Sequence, residues 1–81
     1  MMAMLHAIWA EAFGVDRIGP DEHFIELGGH SLLAMRITAL VGDALDIDLP
    51  MPVLFRYPTL ARFAEAVEAA VRDQRVQPGL T

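Results

Sequence analysis

A chain of 81 residues is enough for one domain with a modest core, which excludes a deep, water-tight active site. Hydrophobic residues make up 54% of it, yet no apolar run approaches the roughly 20 residues that cross a bilayer, and the formal charge of −5 disfavours sequence-independent binding to nucleic acid. Cysteine and lysine are both absent, so disulfides, thiolate nucleophiles and Schiff-base lysines are excluded and any thiol chemistry must come from a cofactor.

The opening Met1-Met2-Ala3-Met4-Leu5 carries no basic leader, and His6, Trp9 and Glu11 interrupt the apolar stretch, so the expectation is a soluble, cytoplasmic protein with no membrane partner. Leu5, Ile8, Trp9, Ala12 and Phe13 recur at helical spacing and Gly14 stands where a helix stops, which predicts helix one over about residues 3 to 13. From Val15 to Gly29 the chain reads as a long ordered loop around Gly19-Pro20-Asp21. Loops of this length are uncommon unless they are functional. Ile18, Phe24 and Leu27 are its expected inward anchors, and Asp21 is placed to cap a short turn carrying Phe24.

Ser31 suits a cap or a first helical turn, and Leu32 to Ala44 holds no proline and no glycine before Gly42, which predicts helix two. On a helical wheel Leu33, Ile37, Leu40 and Ala44 share one face, with Val41 at its border, and this face is expected to meet the core. Asp46-Ile47-Asp48-Leu49-Pro50 alternates like a strand but is too short and isolated to build a sheet, so it is read as extended loop. Pro52 opens a one-turn helix three with Val53, Leu54 and Phe55, which ends before Tyr57-Pro58. Thr59 caps a last helix whose stripe is Leu60, Phe63, Ala64, Val67 and Val71, and residues 74 to 81 read as a frayed tail. The expected fold is all-α, a small four-helix bundle of three main helices and a short third one, forming a single domain over residues 1 to 81.

The stretch Leu27-Gly28-Gly29-His30-Ser31-Leu32-Leu33 carries the functional signal. Two glycines leave open space before a hydroxyl at the mouth of a helix, so a large partner can approach the Ser31 oxygen. A helix N-terminus favours negative charge, which suits a phosphodiester there better than acyl chemistry. On the wheel Ser31 lies nearly opposite Leu33 and Ile37, sharing its face with Met35, Thr38 and Gly42 and flanked by Leu32 and Ala39. That makes an outward, partly apolar face on which Leu32, Met35 and Ala39, with Arg36 at the edge, are candidate docking residues. His30 adjoins the serine, but no acid is placed to orient it as a base, so it is read as a loop-end residue for capping or recognition. His6 and His23 are read as ordinary surface or half-buried residues.

Asp21-Glu22-His23-Phe24-Ile25-Glu26-Leu27-Gly28-Gly29-His30-Ser31-Leu32-Leu33-Ala34 closely resembles the modification site of the peptidyl carrier proteins of nonribosomal peptide synthetases. Ile8-Trp9, Phe55, Tyr57-Pro58-Thr59 and the Ala-rich last helix extend the resemblance over about residues 4 to 72. It implies that a phosphopantetheinyl transferase attaches 4′-phosphopantetheine from coenzyme A to Ser31, with Gly29, His30 and Leu32 around the attachment point and the magnesium ion on the transferase. It implies a monomeric, non-catalytic carrier whose partners are that transferase and adenylation, condensation, tailoring or thioesterase domains. The opening Met and short tail fit a free-standing carrier, although an excised domain would look the same.

Three other readings compete. A serine hydrolase would need a second glycine where Leu33 stands, and a fold large enough to shield a triad. An acyl carrier of polyketide or fatty-acid synthesis would share the fold and the serine. Its motif resembles Asp-Ser-Leu and its second helix is strongly acidic, whereas here His30 precedes the serine and helix two carries only Asp43. A helical interaction module without a prosthetic group is the third.

Overall fold

The computed structural model describes residues 1–75, the last of them by its main chain alone. Four helices follow in order: α1 (Met2–Phe13), α2 (Ser31–Leu45), α3 (Pro52–Arg56) and α4 (Leu60–Arg75). No strand forms among the described residues; a lone antiparallel bridge pairs His23 with Thr59. The all-α bundle with a short third helix and a long first loop is therefore the fold adopted, and none of its described helices is long and apolar enough to cross a membrane.

Local chemistry sets the helix ends. Gly14 closes α1 in the left-handed region at φ 70°, a conformation that costs glycine nothing. Thr59 Oγ1 accepts the backbone N–H of Arg62 at 3.2 Å, the expected cap of α4. Tyr57 leaves helical geometry ahead of Pro58, at φ −126° and ψ 74°. The last helix continues through Gln74 and Arg75; the rest of the expected tail, residues 76 to 81, lies outside the described residues.

α1 packs on α2 and α4, and α3 bridges α2 and α4. Between them Leu5, Trp9, Phe24, Ile37, Val41, Leu54, Leu60, Phe63 and Val67 are fully or almost fully enclosed. The Trp9 ring stands 5.8 Å from Phe63 and 6.0 Å from Phe24, spacings of favourable aromatic pairs. Its indole Nε1 is buried with no hydrogen-bond partner among the described residues. The tryptophan therefore stabilises through ring area, against a desolvation cost of about 1–3 kcal/mol.

The inward face of α2 differs from the wheel reading. Ala34, Ile37, Thr38, Val41 and Gly42 are buried, Leu33 is half-buried, and Leu40 and Ala44 are exposed. Ile37 and Val41 are buried and Leu33 packs half-buried against the core as expected, but the buried arc reaches round to Ala34, Thr38 and Gly42 in place of Leu40 and Ala44. Thr38 tolerates burial because its hydroxyl donates to the Ala34 carbonyl at 2.9 Å, so no polar atom is stranded. Gly42 suits this place because a Cβ there would stand a tight 3.0 Å from the Ile47 carbonyl oxygen, where the chain doubles back after Asp46.

Candidate functional site

The loop leading to Ser31 is held by side chains drawn from several elements. Ile18 is buried, and its backbone N–H donates to His6 Nε2 of α1 at 3.0 Å. Gly19 N–H donates to Glu22 Oε1 at 3.0 Å, and the carbonyl of Pro20 accepts from Ala61 at 2.9 Å. The turn that carries Phe24 is secured by His23, whose Nδ1 accepts from Ile25 N–H at 3.1 Å. That corrects the expectation for Asp21, which is exposed and makes no side-chain hydrogen bond among the described residues. His6 and His23 are half-buried as expected, but each is a main-chain acceptor that organises the loop. Nothing local in the sequence signals the His6 bond, because its partner is twelve residues away.

Phe24 is the hub of this loop. It is wholly enclosed, with ring centroids 5.5 Å from Phe13, 5.8 Å from Phe55 and 6.0 Å from Trp9. Its backbone N–H donates to Pro58 and its carbonyl accepts from Gly29 at 2.9 Å. The two glycines then do different things. Gly28 sits at φ +97° with nothing within 4 Å of an added Cβ, so it supplies both the left-handed turn and the open space. Gly29 does not leave open space, because an added Cβ there would fall against the Phe24 ring, 2.6 Å from Cδ2.

His30 is the N-cap of α2, extended at φ −148° and ψ 175°, and its Nδ1 accepts the Leu33 N–H at 3.3 Å. An accepting Nδ1 leaves the neutral ring's proton on Nε2, so this imidazole is occupied as a cap. Ser31 is the first helical residue, exposed, and its hydroxyl makes no hydrogen bond among the described residues. The Leu33 and Ala34 N–H groups are taken by His30, and those of Ser31 and Leu32 have no partner among the described residues, at the positive end of a 15-residue helix. No acidic side chain occupies that first turn. A phosphate joined to the Ser31 oxygen would meet these N–H donors and no acid from the first turn of α2 itself.

Beside the serine, Leu32 is 70% exposed and Met35 55% exposed, with Arg36 and Ala39 also at the surface. Thr38 and Gly42, expected on this outward face, turn inward instead, while Leu40, expected in the core, extends the apolar surface at 43% exposure. Of the residues expected on the outward face, Leu32, Met35, Arg36 and Ala39 are therefore at the surface, and Thr38 and Gly42 are not. Among the described residues no cluster of three or more His, Asp or Glu side chains is placed to hold a metal ion.

Residues 4–67 match the family described as "Phosphopantetheine attachment site". Tyrocidine synthase 3 of Brevibacillus parabrevis is 48% identical over 68 residues, which cover 84% of this chain but only 1% of that protein. Among solved structures, BlmI, a type-II acyl carrier protein of Streptomyces verticillus involved in bleomycin biosynthesis, is 40% identical with a TM-score of 0.80, covering 84% of this chain and 82% of that one. A peptidyl carrier protein, solved with the phosphopantetheine transferase Sfp and coenzyme A, is 37% identical with a TM-score of 0.78, covering 84% and 88%. The prosthetic group of this family is 4′-phosphopantetheine, derived from coenzyme A. The chain belongs to the phosphopantetheine attachment-site family, as one of the peptidyl carrier domains related to those of nonribosomal peptide synthetases.

Proposed function

We propose that Ser31 is the residue that bears the 4′-phosphopantetheine arm, and that the protein shuttles aminoacyl and peptidyl thioesters between enzymes of nonribosomal peptide synthesis. The observation that carries this is the Ser31 hydroxyl itself, exposed and unbonded at the first position of α2 behind the open turn at Gly28. In the modification, the Ser31 oxygen bonds to the coenzyme A phosphorus nearest pantetheine. The phosphoanhydride bond to that phosphorus breaks, adenosine 3′,5′-bisphosphate leaves, and the hydroxyl proton passes to a base on the transferase. The thiol at the end of the arm supplies the thioester chemistry that a chain without cysteine cannot.

The chain's own share is to present and to be recognised. Unpaired N–H groups of Ser31 and Leu32 stabilise the phosphodiester charge, and His30 holds the helix start. Leu32, Met35, Ala39 and Arg36 form the surface on which the transferase and then adenylation, condensation, tailoring or thioesterase domains seat in turn. The carrier is a monomer and a single domain, and it performs no turnover of its own. Incubation with coenzyme A and a promiscuous phosphopantetheinyl transferase is expected to add one phosphopantetheine mass to the protein and none to the Ser31→Ala variant. No gain in the wild type, or a gain in the variant, overturns the assignment. Loading of the resulting thiol by an amino-acid-activating adenylation enzyme, and not by malonyl transfer, separates peptidyl from acyl carriage.

A further inference from the structure

We propose that Phe24 is a positioning residue for the modification of Ser31: it sets the place of the hydroxyl through Gly29 without touching it. The inference rests on Ser31 being the attachment point.

Three rings from two helices, those of Trp9, Phe13 and Phe55, stand within 6.0 Å of Phe24 centroid to centroid. Its backbone N–H is bonded to Pro58, so neither its ring nor its main chain has freedom to drift. The ring lies against the Cα of Gly29, filling the volume a side chain would take, and the Phe24 carbonyl holds the Gly29 N–H at 2.9 Å. Gly29 is thus fixed from two directions by one buried residue. Only His30 separates it from Ser31, and His30 caps α2 through a bond already long at 3.3 Å, with little slack to absorb a shift. Displacing Gly29 therefore moves the helix start and the hydroxyl with it. Phosphoryl transfer depends on in-line geometry, and a misplacement of about 1 Å can cost up to about a hundredfold in rate. Leu32 and Met35 are 70% and 55% exposed, and the three atoms nearest a Cβ at Gly29 all belong to Phe24.

The test is the steady-state kinetics of a phosphopantetheinyl transferase and coenzyme A with four acceptors: the wild type, Gly29→Ala, Phe24→Leu and the double variant, each normalised to its folded fraction by circular dichroism. Gly29→Ala is expected to lower kcat about tenfold or more while KM changes by less than about twofold, because geometry is lost and docking is kept. Adding Phe24→Leu to Gly29→Ala removes the ring carbons that the new methyl meets and is expected to recover part of kcat. A folded Gly29→Ala modified at the wild-type kcat, or a double variant no faster than Gly29→Ala, overturns the proposal. If Gly29→Ala does not fold, Phe24→Leu alone decides: reduced kcat with unchanged KM upholds the role, and wild-type kcat overturns it. A wild type that gains no arm would instead strike the Ser31 assignment on which the inference stands.

Discussion

The two long connections of this protein are fastened in opposite ways. The one between α1 and α2, residues 14–30, is anchored from inside: Phe24 and Ile18 are enclosed by the bundle, and His6 takes a loop N–H in a half-buried bond. The one between α2 and α3, residues 46–51, buries Leu49, rests Ile47 and Met51 half-buried against the core, and is also clasped from outside. The amide of Gln74 there accepts from Asp48 N–H at 2.8 Å and donates to the Asp48 carbonyl at 2.9 Å, both bonds in solvent. The difference follows what each must present. A loop that ends on the hydroxyl proposed to carry the arm needs a position set by packing, since close-packed rings resist displacement. A loop that only turns the chain is served by an exposed amide clasp, because water competes for its bonds and leaves it less costly to open.

The sharpest way to break this comparison is to delete one buried anchor from each connection. Phe24→Ala is expected to cost about 3–5 kcal/mol and Leu49→Ala an amount nearer about 2 kcal/mol, both read from urea unfolding midpoints. Equal losses would mean that the first connection is not the more deeply anchored. A finer cut compares the polar clasps. His6→Ala leaves the Ile18 N–H unsatisfied beside a buried side chain and should cost about 1–3 kcal/mol, whereas Gln74→Ala, in solvent, should cost about 1 kcal/mol or less. Amide hydrogen exchange at Ile18 and Asp48 reads the same two bonds one at a time. The smallest effect on stability belongs to the exposed patch: Leu32→Ser and Met35→Ser should leave it within about 0.5 kcal/mol. Both should slow aminoacyl loading by an adenylation enzyme several-fold, and unchanged loading would remove these residues from the docking surface.

Much of the molecule was legible without coordinates where the signal is local. Gly14, Thr59 and the Tyr57-Pro58 pair punctuate helices through their own backbone preferences, and each ends or starts the element it was expected to. The rotation of α2 was not legible, because apolar residues lie on both of its sides. Leu32, Met35 and Leu40 face solvent while Thr38 and Gly42 go inside, where a hydroxyl is satisfied within the helix and a returning chain leaves little room for a side chain. A wheel weighs hydrophobicity and sees neither. The capping by Asp21 failed for a similar reason: His23, which reads as a bland surface residue, reaches the turn first.

What the sequence determined by itself is the chemistry: a hydroxyl behind a Gly-Gly turn at the mouth of a helix, in a chain with no thiol of its own, inside a string long enough to mark a carrier. These depend on residue type and near neighbours, which the primary structure holds in full. The tertiary structure decided how that hydroxyl is held. It gave the two adjacent glycines unlike tasks, one opening the turn and the other lying against Phe24, and it set which side of α2 is buried and which is exposed. Those outcomes turn on contacts between residues far apart in the chain, and packing in three dimensions settles them.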